Sequence, residues 1–120
     1  MIWPKLRQCW KRCGNVVRGD VYRFRPNDVR GRKQSGARFA VVIQSDDLML
    51  STLLVAPTST SARPTVFRPQ IELEGQPTLV LLEQVSVVNP ETELGDFAGR
   101  LLPEELAAVN QALVLVMGLF

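Results

Sequence analysis

Histidine is absent from the 120 residues of this chain. Its absence removes the commonest general base, the commonest metal ligand and every Ser–His–Asp triad. The two cysteines provide at most half of a tetrahedral zinc site, and no Walker loop or Gly-x-Gly-x-x-Gly fingerprint occurs. Any catalysis must therefore use arginine, lysine, tyrosine, hydroxyl or carboxylate groups, and we expect no metal and no organic cofactor.

The sequence also has neither the cysteine spacing of a disulfide scaffold nor an apolar run long enough to span a membrane. Cys9 and Cys13 are four residues apart, a spacing that suits neighbouring helical turns and argues against a secreted disulfide scaffold. No apolar run reaches the roughly 18 to 20 residues that cross a bilayer. The basic opening segment lacks the hydrophobic stretch of a signal peptide. We therefore predict a cytoplasmic protein with no membrane partner.

Charge is distributed unevenly along the chain. Residues 1–38 contain eleven Lys and Arg against two Asp, a formal charge of +9, and the remainder carries −7 of the overall +2. Such an asymmetry can create a surface that attracts phosphates, although folding could intermix the two halves. Nucleic acid is the leading class of partner.

Hydrophobic patterning predicts a mainly β domain. Short runs rich in Val, Ile and Leu, separated by turn residues, predict strands over residues 16–24, 38–44, 51–58, 66–73 and 78–88. Pro69 within the fourth run indicates an edge strand or a bulge. Strands of this length and spacing favour a small, strongly bent sheet or barrel.

Two other segments have different patterns. Residues 25–37 combine Pro, Gly, Asn, Asp and Ser with basic side chains and predict a long basic loop, a kind of loop that is usually functional. From Pro103 onward, apolar residues recur at helical spacing, with proline in the first turn and Gly118 as a C-cap. A helix is therefore expected to close the domain.

Three places in the chain offer groups for catalysis: Arg38 at the end of the basic loop, the hydroxyl cluster at residues 58–61, and Glu83 at the end of an apolar run. Each has a structural alternative, as a solvated connection, a turn-forming cluster or a member of an ion pair. Together they suffice for RNA cleavage, because RNA carries its own nucleophile, the 2′-OH. Arginine can neutralise phosphate charge but does not deprotonate, so Glu83 or water would have to accept the proton.

Five motifs, in this order, resemble the MazF/PemK family of toxins: RGDVYRF, GRKQSGARFAVVIQSD, VAPTSTS, LVLLEQVSVVN and LLPEELAAVNQALVLVMGL. The resemblance covers residues 18–120 and leaves residues 1–17 as a basic N-terminal extension. It implies an SH3-like β-barrel with a C-terminal helix and a homodimer. It also implies sequence-selective, metal-independent cleavage of single-stranded RNA, which inhibits translation and growth, and control by a MazE-type antitoxin.

By position, the resemblance implies catalytic roles for Arg38, Ser59 and Glu83, with Ser59 standing for the family's threonine. Thr58 and Thr60 remain alternatives for that hydroxyl. Predicted substrate-binding residues are Arg32, Lys33, Gln34, Thr58, Thr60 and Gln84.

Three positions depart from the family pattern. Arg32 stands where PemK-like members place a loop histidine, Leu81 where they place an arginine, and Phe39 where a proline usually follows the catalytic arginine. We therefore expect the arrangement of MazF-like members, in which Arg38 stabilises the phosphorane and Ser59 donates a hydrogen bond or a proton.

Other functions remain open at this point. A CcdB-like toxin would share the barrel but bind DNA gyrase; such chains typically end in Trp-Gly-Ile, whereas this chain ends in MGLF. A plain single-stranded nucleic-acid binding module would need aromatic stacking platforms, and the chain has one tyrosine. Residues 1–17 could be an RNA-contacting arm, a membrane-surface anchor or a flexible extension.

Overall fold

The computed structural model describes residues 16–25 and 38–120. Within them, a 3₁₀ turn covers Leu82–Gln84, and the strands are β1 (Asp20–Phe24), β2 (Phe39–Val42), β3 (Leu53–Ser59), β4 (Gln70–Leu73), β5 (Gln76–Val80), β6 (Ser86–Val88) and β7 (Leu94–Arg100). The helices are α1 (Pro90–Glu93) and α2 (Pro103–Met117). The predicted mainly β fold with a C-terminal helix is confirmed.

The strands form one antiparallel sheet in the order β4, β5, β3, β2, β1, β7. β3 is the central strand, since it pairs with β2 along one side and with both β5 and β6 along the other. No ladder joins β4 to β7 in the described part of the chain. The described strands therefore curl into a half-barrel.

Both faces of the central strands are buried, as alternation along the strands dictates. One apolar cluster lies between the sheet and helix α2. It includes Val21, Val41 and Ala56 from the strands and Val109 and Ala112 from the helix. The other lies on the opposite face and includes Tyr22, Ala40, Val42, Val55 and Leu94. The sheet core therefore fixes the strand ends that carry the candidate site.

Helix α2 is tied to the sheet at its N-terminus. The Glu105 carboxylate accepts the backbone N–H of Leu102 at 2.8 Å and that of Glu72, on β4, at 2.9 Å. Pro103 occupies the first turn, and Gly118 ends the helix with φ of 68°. This left-handed conformation favours glycine. The predicted helix and both of its end residues are confirmed.

The prediction of a single strand over residues 78–88 was wrong. The Leu81 N–H donates to the Pro57 carbonyl at 2.9 Å, and the Gln84 N–H donates to the Leu81 carbonyl at 3.0 Å. The chain therefore turns after β5 and re-enters the sheet as β6. The exposed residues Glu83 and Gln84 interrupt the apolar run at this turn, but a polar pair between two apolar stretches does not by itself distinguish a turn from a continuous half-buried strand.

The fourth predicted strand, residues 66–73, is also shorter than expected. Its first half is a turn in which the Arg68 N–H donates to the Thr65 carbonyl at 3.1 Å. Pro69 immediately precedes β4, which is an edge strand of the described sheet, one of the two alternatives that this proline indicated. Val16 is 4% exposed and packs in the second cluster, although the motif resemblance, which begins at residue 18, left it in the N-terminal extension.

Candidate functional site

Arg38 and Ser59 lie at adjacent ends of two neighbouring strands. The antiparallel register of β2 and β3 aligns Ala40 with Pro57. Arg38 lies two residues before Ala40 and Ser59 two residues after Pro57, so a continuation of this register would put them opposite each other. Directly opposed residues of an antiparallel pair project from the same face. The fold thus places both residues, to which the motif resemblance gave catalytic roles, at the same end of the β2–β3 pair.

The Arg38 guanidinium stacks on an aromatic ring and has no acidic partner among the described residues. Its central carbon lies 5.8 Å from the centre of the Phe24 ring. No ion pair or side-chain hydrogen bond of Arg38 occurs within residues 16–25 and 38–120. Burial lowers the pKa of Arg38, but an arginine remains protonated. Arg38 is therefore a partly buried cation available to an anion.

The Ser59 hydroxyl is oriented by the backbone that follows it. Its Oγ accepts the N–H of Ser61 at 3.1 Å and that of Ala62 at 2.9 Å. A hydroxyl oxygen accepts about two hydrogen bonds, so the O–H hydrogen is the group left for a substrate. The two N–H donors also stabilise negative charge on Oγ. Ser59 is thus suited to donate a hydrogen bond or a proton.

The neighbouring hydroxyls have different environments. Thr58 is buried, and its Oγ1 donates to the Phe39 carbonyl oxygen at 3.2 Å. Thr60 is exposed just beyond β3. These contacts favour Ser59 over Thr58 as the hydroxyl presented to a substrate, and leave Thr60 accessible for substrate contact.

Glu83 lies in the 3₁₀ turn and holds an arginine that the sequence analysis did not single out. Its Oε2 accepts Arg68 Nη2 at 2.6 Å and Arg68 Nε at 3.0 Å. Burial raises the pKa of Glu83, but hydrogen bonds from Arg68 and Gln84 lower it by more. The net pKa is therefore below its ordinary value. A carboxylate stabilised in its charged form is a weak base. The geometry favours a positioning role for Glu83.

The sequence did contain a signal for Arg68. Only three basic residues follow Arg38, namely Arg63, Arg68 and Arg100, against ten acidic ones. An arginine in so acidic a region, next to a buried strand, is expected to form an ion pair with a carboxylate. The partner could not be named, because several carboxylates were within reach along the chain.

The remaining predicted site residues are placed as follows. Arg32, Lys33 and Gln34 lie outside the described residues. Gln84 is exposed beside Glu83 in the 3₁₀ turn. No hydrogen bond or ion pair joins Glu83 to Arg38 in the described part of the chain.

A metal-binding cluster and a membrane-spanning helix are both absent from the described residues. Among residues 16–25 and 38–120, no three His, Cys, Asp or Glu side chains are grouped so that they could hold a metal ion. No helix in that same part of the chain is both long enough and apolar enough to cross a membrane.

Known proteins share this sequence pattern. Residues 17–117 match the family described as PemK-like, MazF-like toxins of type II toxin–antitoxin systems. The chain belongs to the PemK/MazF toxin family. A Mycobacterium tuberculosis protein named Rv3098A, described as a candidate toxin, is 40% identical over 105 residues, which cover 87% of this chain and 99% of that protein. The resemblance stated from the motifs is confirmed.

Solved structures of MazF toxins have the same fold. A mycobacterial endoribonuclease, in complex with its cognate antitoxin, aligns with a TM-score of 0.70 at 20% identity, covering 88% of this chain and 97% of that one. MazF from Deinococcus radiodurans aligns with a TM-score of 0.71 at 17% identity, covering 86% and 96%. At such identities the likeness concerns the fold, and the half-barrel with its C-terminal helix is the PemK/MazF architecture.

Proposed function

We propose that this PemK/MazF toxin is a metal-independent endoribonuclease that cuts single-stranded RNA at a short recurring sequence and thereby inhibits translation and growth. The observation that carries the proposal is the position of Arg38 and Ser59 at the same end of the β2–β3 strand pair. One residue supplies a cation without an acidic partner in the described chain, and the other supplies an oriented O–H donor. Family membership supports the same activity.

The proposed reaction uses the nucleophile that RNA provides. The 2′-OH oxygen attacks phosphorus, its proton passes to water, and the bond from phosphorus to the 5′ oxygen breaks. Arg38 stabilises the charge on the non-bridging oxygens, and Ser59 gives its proton to the departing 5′ oxygen and regains one from water. The products are a 2′,3′-cyclic phosphate and a 5′-hydroxyl.

Other predicted residues contribute to binding in this scheme. Glu83 acts through Arg68 and does not serve as the base, because its lowered pKa makes it a poor proton acceptor. Proposed RNA contacts come from Arg32, Lys33, Gln34, Thr60 and Gln84. Thr58 was also predicted to touch substrate, but its buried hydroxyl, bonded to a backbone carbonyl, supports a role in holding β2 to β3.

Two protein partners complete the proposal. The apolar end of helix α2 leaves Leu115, Met117 and Phe120 exposed, at 46%, 51% and 91%, and supports a homodimer in which this surface is covered. A MazE-type antitoxin is the proposed inhibitor. A solved relative is a MazE–MazF assembly from Deinococcus radiodurans. A cytoplasmic location follows from the proposed RNA substrate.

The test is incubation of purified protein with long single-stranded RNA in EDTA, with the cut ends mapped. We expect cleavage at a recurring motif and a loss of about 10²-fold or more in Arg38→Ala, as for removal of a group that stabilises transition-state charge. Arg23→Ala is the matched control. The Arg23 guanidinium also stacks on a phenylalanine, with its central carbon 5.0 Å from the centre of the Phe39 ring, but Arg23 and Phe39 are a cross-strand pair whose side chains lie on the opposite face of the sheet from Arg38. Full activity of Arg38→Ala would refute the assignment, and intact RNA would favour gyrase binding instead.

A further inference from the structure

Arg68 is fixed by three side-chain hydrogen bonds. Nε and Nη2 donate to Glu83 Oε2, at 3.0 and 2.6 Å, and Nη1 donates to the backbone carbonyl of Arg63 at 2.9 Å. The guanidinium also lies 5.6 Å from the centre of the Phe67 ring. The Arg68 and Glu83 side chains are 21% and 28% exposed. Charge-assisted bonds in such a partly buried setting hold a side chain firmly.

The residue held by Arg68 is next to one held by Ser59. Ser59 Oγ accepts the Ala62 N–H, and Arg68 binds the carbonyl of Arg63, the following residue. Segment 60–67, which connects β3 to the turn before β4, is thus held at Ser61 and Ala62 by the side chain that precedes the segment and at Arg63 by the side chain that follows it. The backbone N–H groups that orient the Ser59 hydroxyl belong to this segment.

Arg68 differs from Arg38 in its charge balance. Arg68 forms an ion pair with Glu83, whereas Arg38 has no carboxylate partner in residues 16–25 and 38–120. Each N–H of a guanidinium that is bound to the protein is unavailable to a phosphate. Arg68 is therefore better suited to shape the backbone than to bind RNA directly.

We propose that Arg68, anchored by Glu83, is a positioning residue that holds segment 60–67 so that the Ser61 and Ala62 N–H groups aim the Ser59 hydroxyl at the substrate. This inference rests on the proposed ribonuclease function. If the segment moves, Ser59 loses its two orienting donors, and its hydroxyl samples rotamers that point away from the leaving oxygen.

The kinetic test is a double-mutant cycle on a short RNA that contains one cleavage site. Arg68→Gln is expected to lower kcat about tenfold or more with little change in KM, and Glu83→Gln should do the same, because misplacement of a catalytic group acts mainly on the chemical step. In a Ser59→Ala background, Arg68→Gln should cause no further loss. Glu74→Gln is the control, since Glu74 forms only a long, exposed contact with Arg23 at 4.0 Å.

A second measurement does not depend on cleavage. Amide hydrogen exchange at Ser61 and Ala62 should be at least several-fold faster in Arg68→Gln than in the wild type or Glu74→Gln, because the segment opens more often. Arg68→Lys, which keeps the charge, covers the case in which the glutamine variant fails to fold. Unchanged exchange, or an equal kcat loss with and without Ser59, would overturn the proposal. If the wild-type protein leaves RNA intact while amide exchange is still faster in Arg68→Gln, the ribonuclease function is overturned and the positioning of segment 60–67 stands.

Discussion

Tyr22 provides a direct test of the packing beside the site, because it is the single tyrosine of the chain. Its side chain is 6% exposed, and its hydroxyl lies 3.5 Å from Oδ2 of Asp20, which is 1% exposed. Burial, followed by the negative charge of Asp20, raises the pKa of Tyr22 from 10.0 to about 12. The proton is therefore bound more tightly in the folded chain than in the unfolded one.

The size of the effect follows from linkage. The unfolded chain releases the Tyr22 proton near pH 10.0, while the folded chain keeps it to about pH 12. The associated stability is complete below pH 10 and is lost as the pH rises through the folded pKa. At about 1.4 kcal/mol per pKa unit, the free energy of unfolding should fall by about 3 kcal/mol over this range.

Two substitutions should shift this pKa in opposite directions. Arg100 forms an ion pair with Asp20 at 2.7 Å, and its positive charge lowers the pKa of Tyr22. Arg100→Gln should therefore raise that pKa further, whereas Asp20→Asn should lower it. The phenolate absorbance gives the midpoint, with urea-unfolded protein as the reference. A midpoint near 10 in folded wild-type protein would refute the reasoning, as would shifts of the same sign in the two variants.

Two further predictions concern the side chains around the site. Phe24→Leu should lower kcat on RNA about two- to tenfold, because loss of a cation–π contact worth about 0.5–1.4 kcal/mol leaves Arg38 less well oriented. Phe39→Leu, which removes the corresponding stack of Arg23, should leave kcat unchanged. Equal losses of kcat in the two variants would contradict this prediction. Because hydrogen bonds lower the folded pKa of Glu83 below the ordinary 4.5, its contribution to stability is present above that value and is lost as the pH falls through the folded pKa. Urea unfolding in acid should therefore show a steeper loss for the wild type than for Glu83→Gln, and identical slopes would mean that the ion pair does not form in solution.

Features encoded by neighbouring residues were predictable from the sequence. Strand alternation within the predicted strand 16–24 puts Val21 on one face and Tyr22 on the other, and the structure places them in separate clusters. The closing helix was also local, since Pro103 and Gly118 mark its ends by their backbone preferences. The likeness of the motifs to a known family then indicated which strand ends carry the candidate site.

Features that depend on distant contacts were not predictable. Strand β7, with the sequence LGDFAGR, contains two glycines and an aspartate and has a weak strand signal, yet it pairs along β1. Its strand conformation is therefore supplied by its partner and not by its own residues. The split of residues 78–88 has the same origin, because β3 offers separate pairing sites to β5 and β6.

The two arginines of the site illustrate why composition cannot assign roles. Arg38 and Arg68 have the same side chain and each lies near a phenylalanine ring. Arg68 meets Glu83, fifteen residues away in sequence, only because β4 and β5 form a hairpin that returns the chain to the same place. That meeting neutralises Arg68 and fixes it to the backbone, while Arg38 keeps its N–H donors for an anion. The proposed division between a phosphate-binding arginine and a positioning arginine therefore arises from tertiary structure, and exchanging their surroundings should exchange their roles.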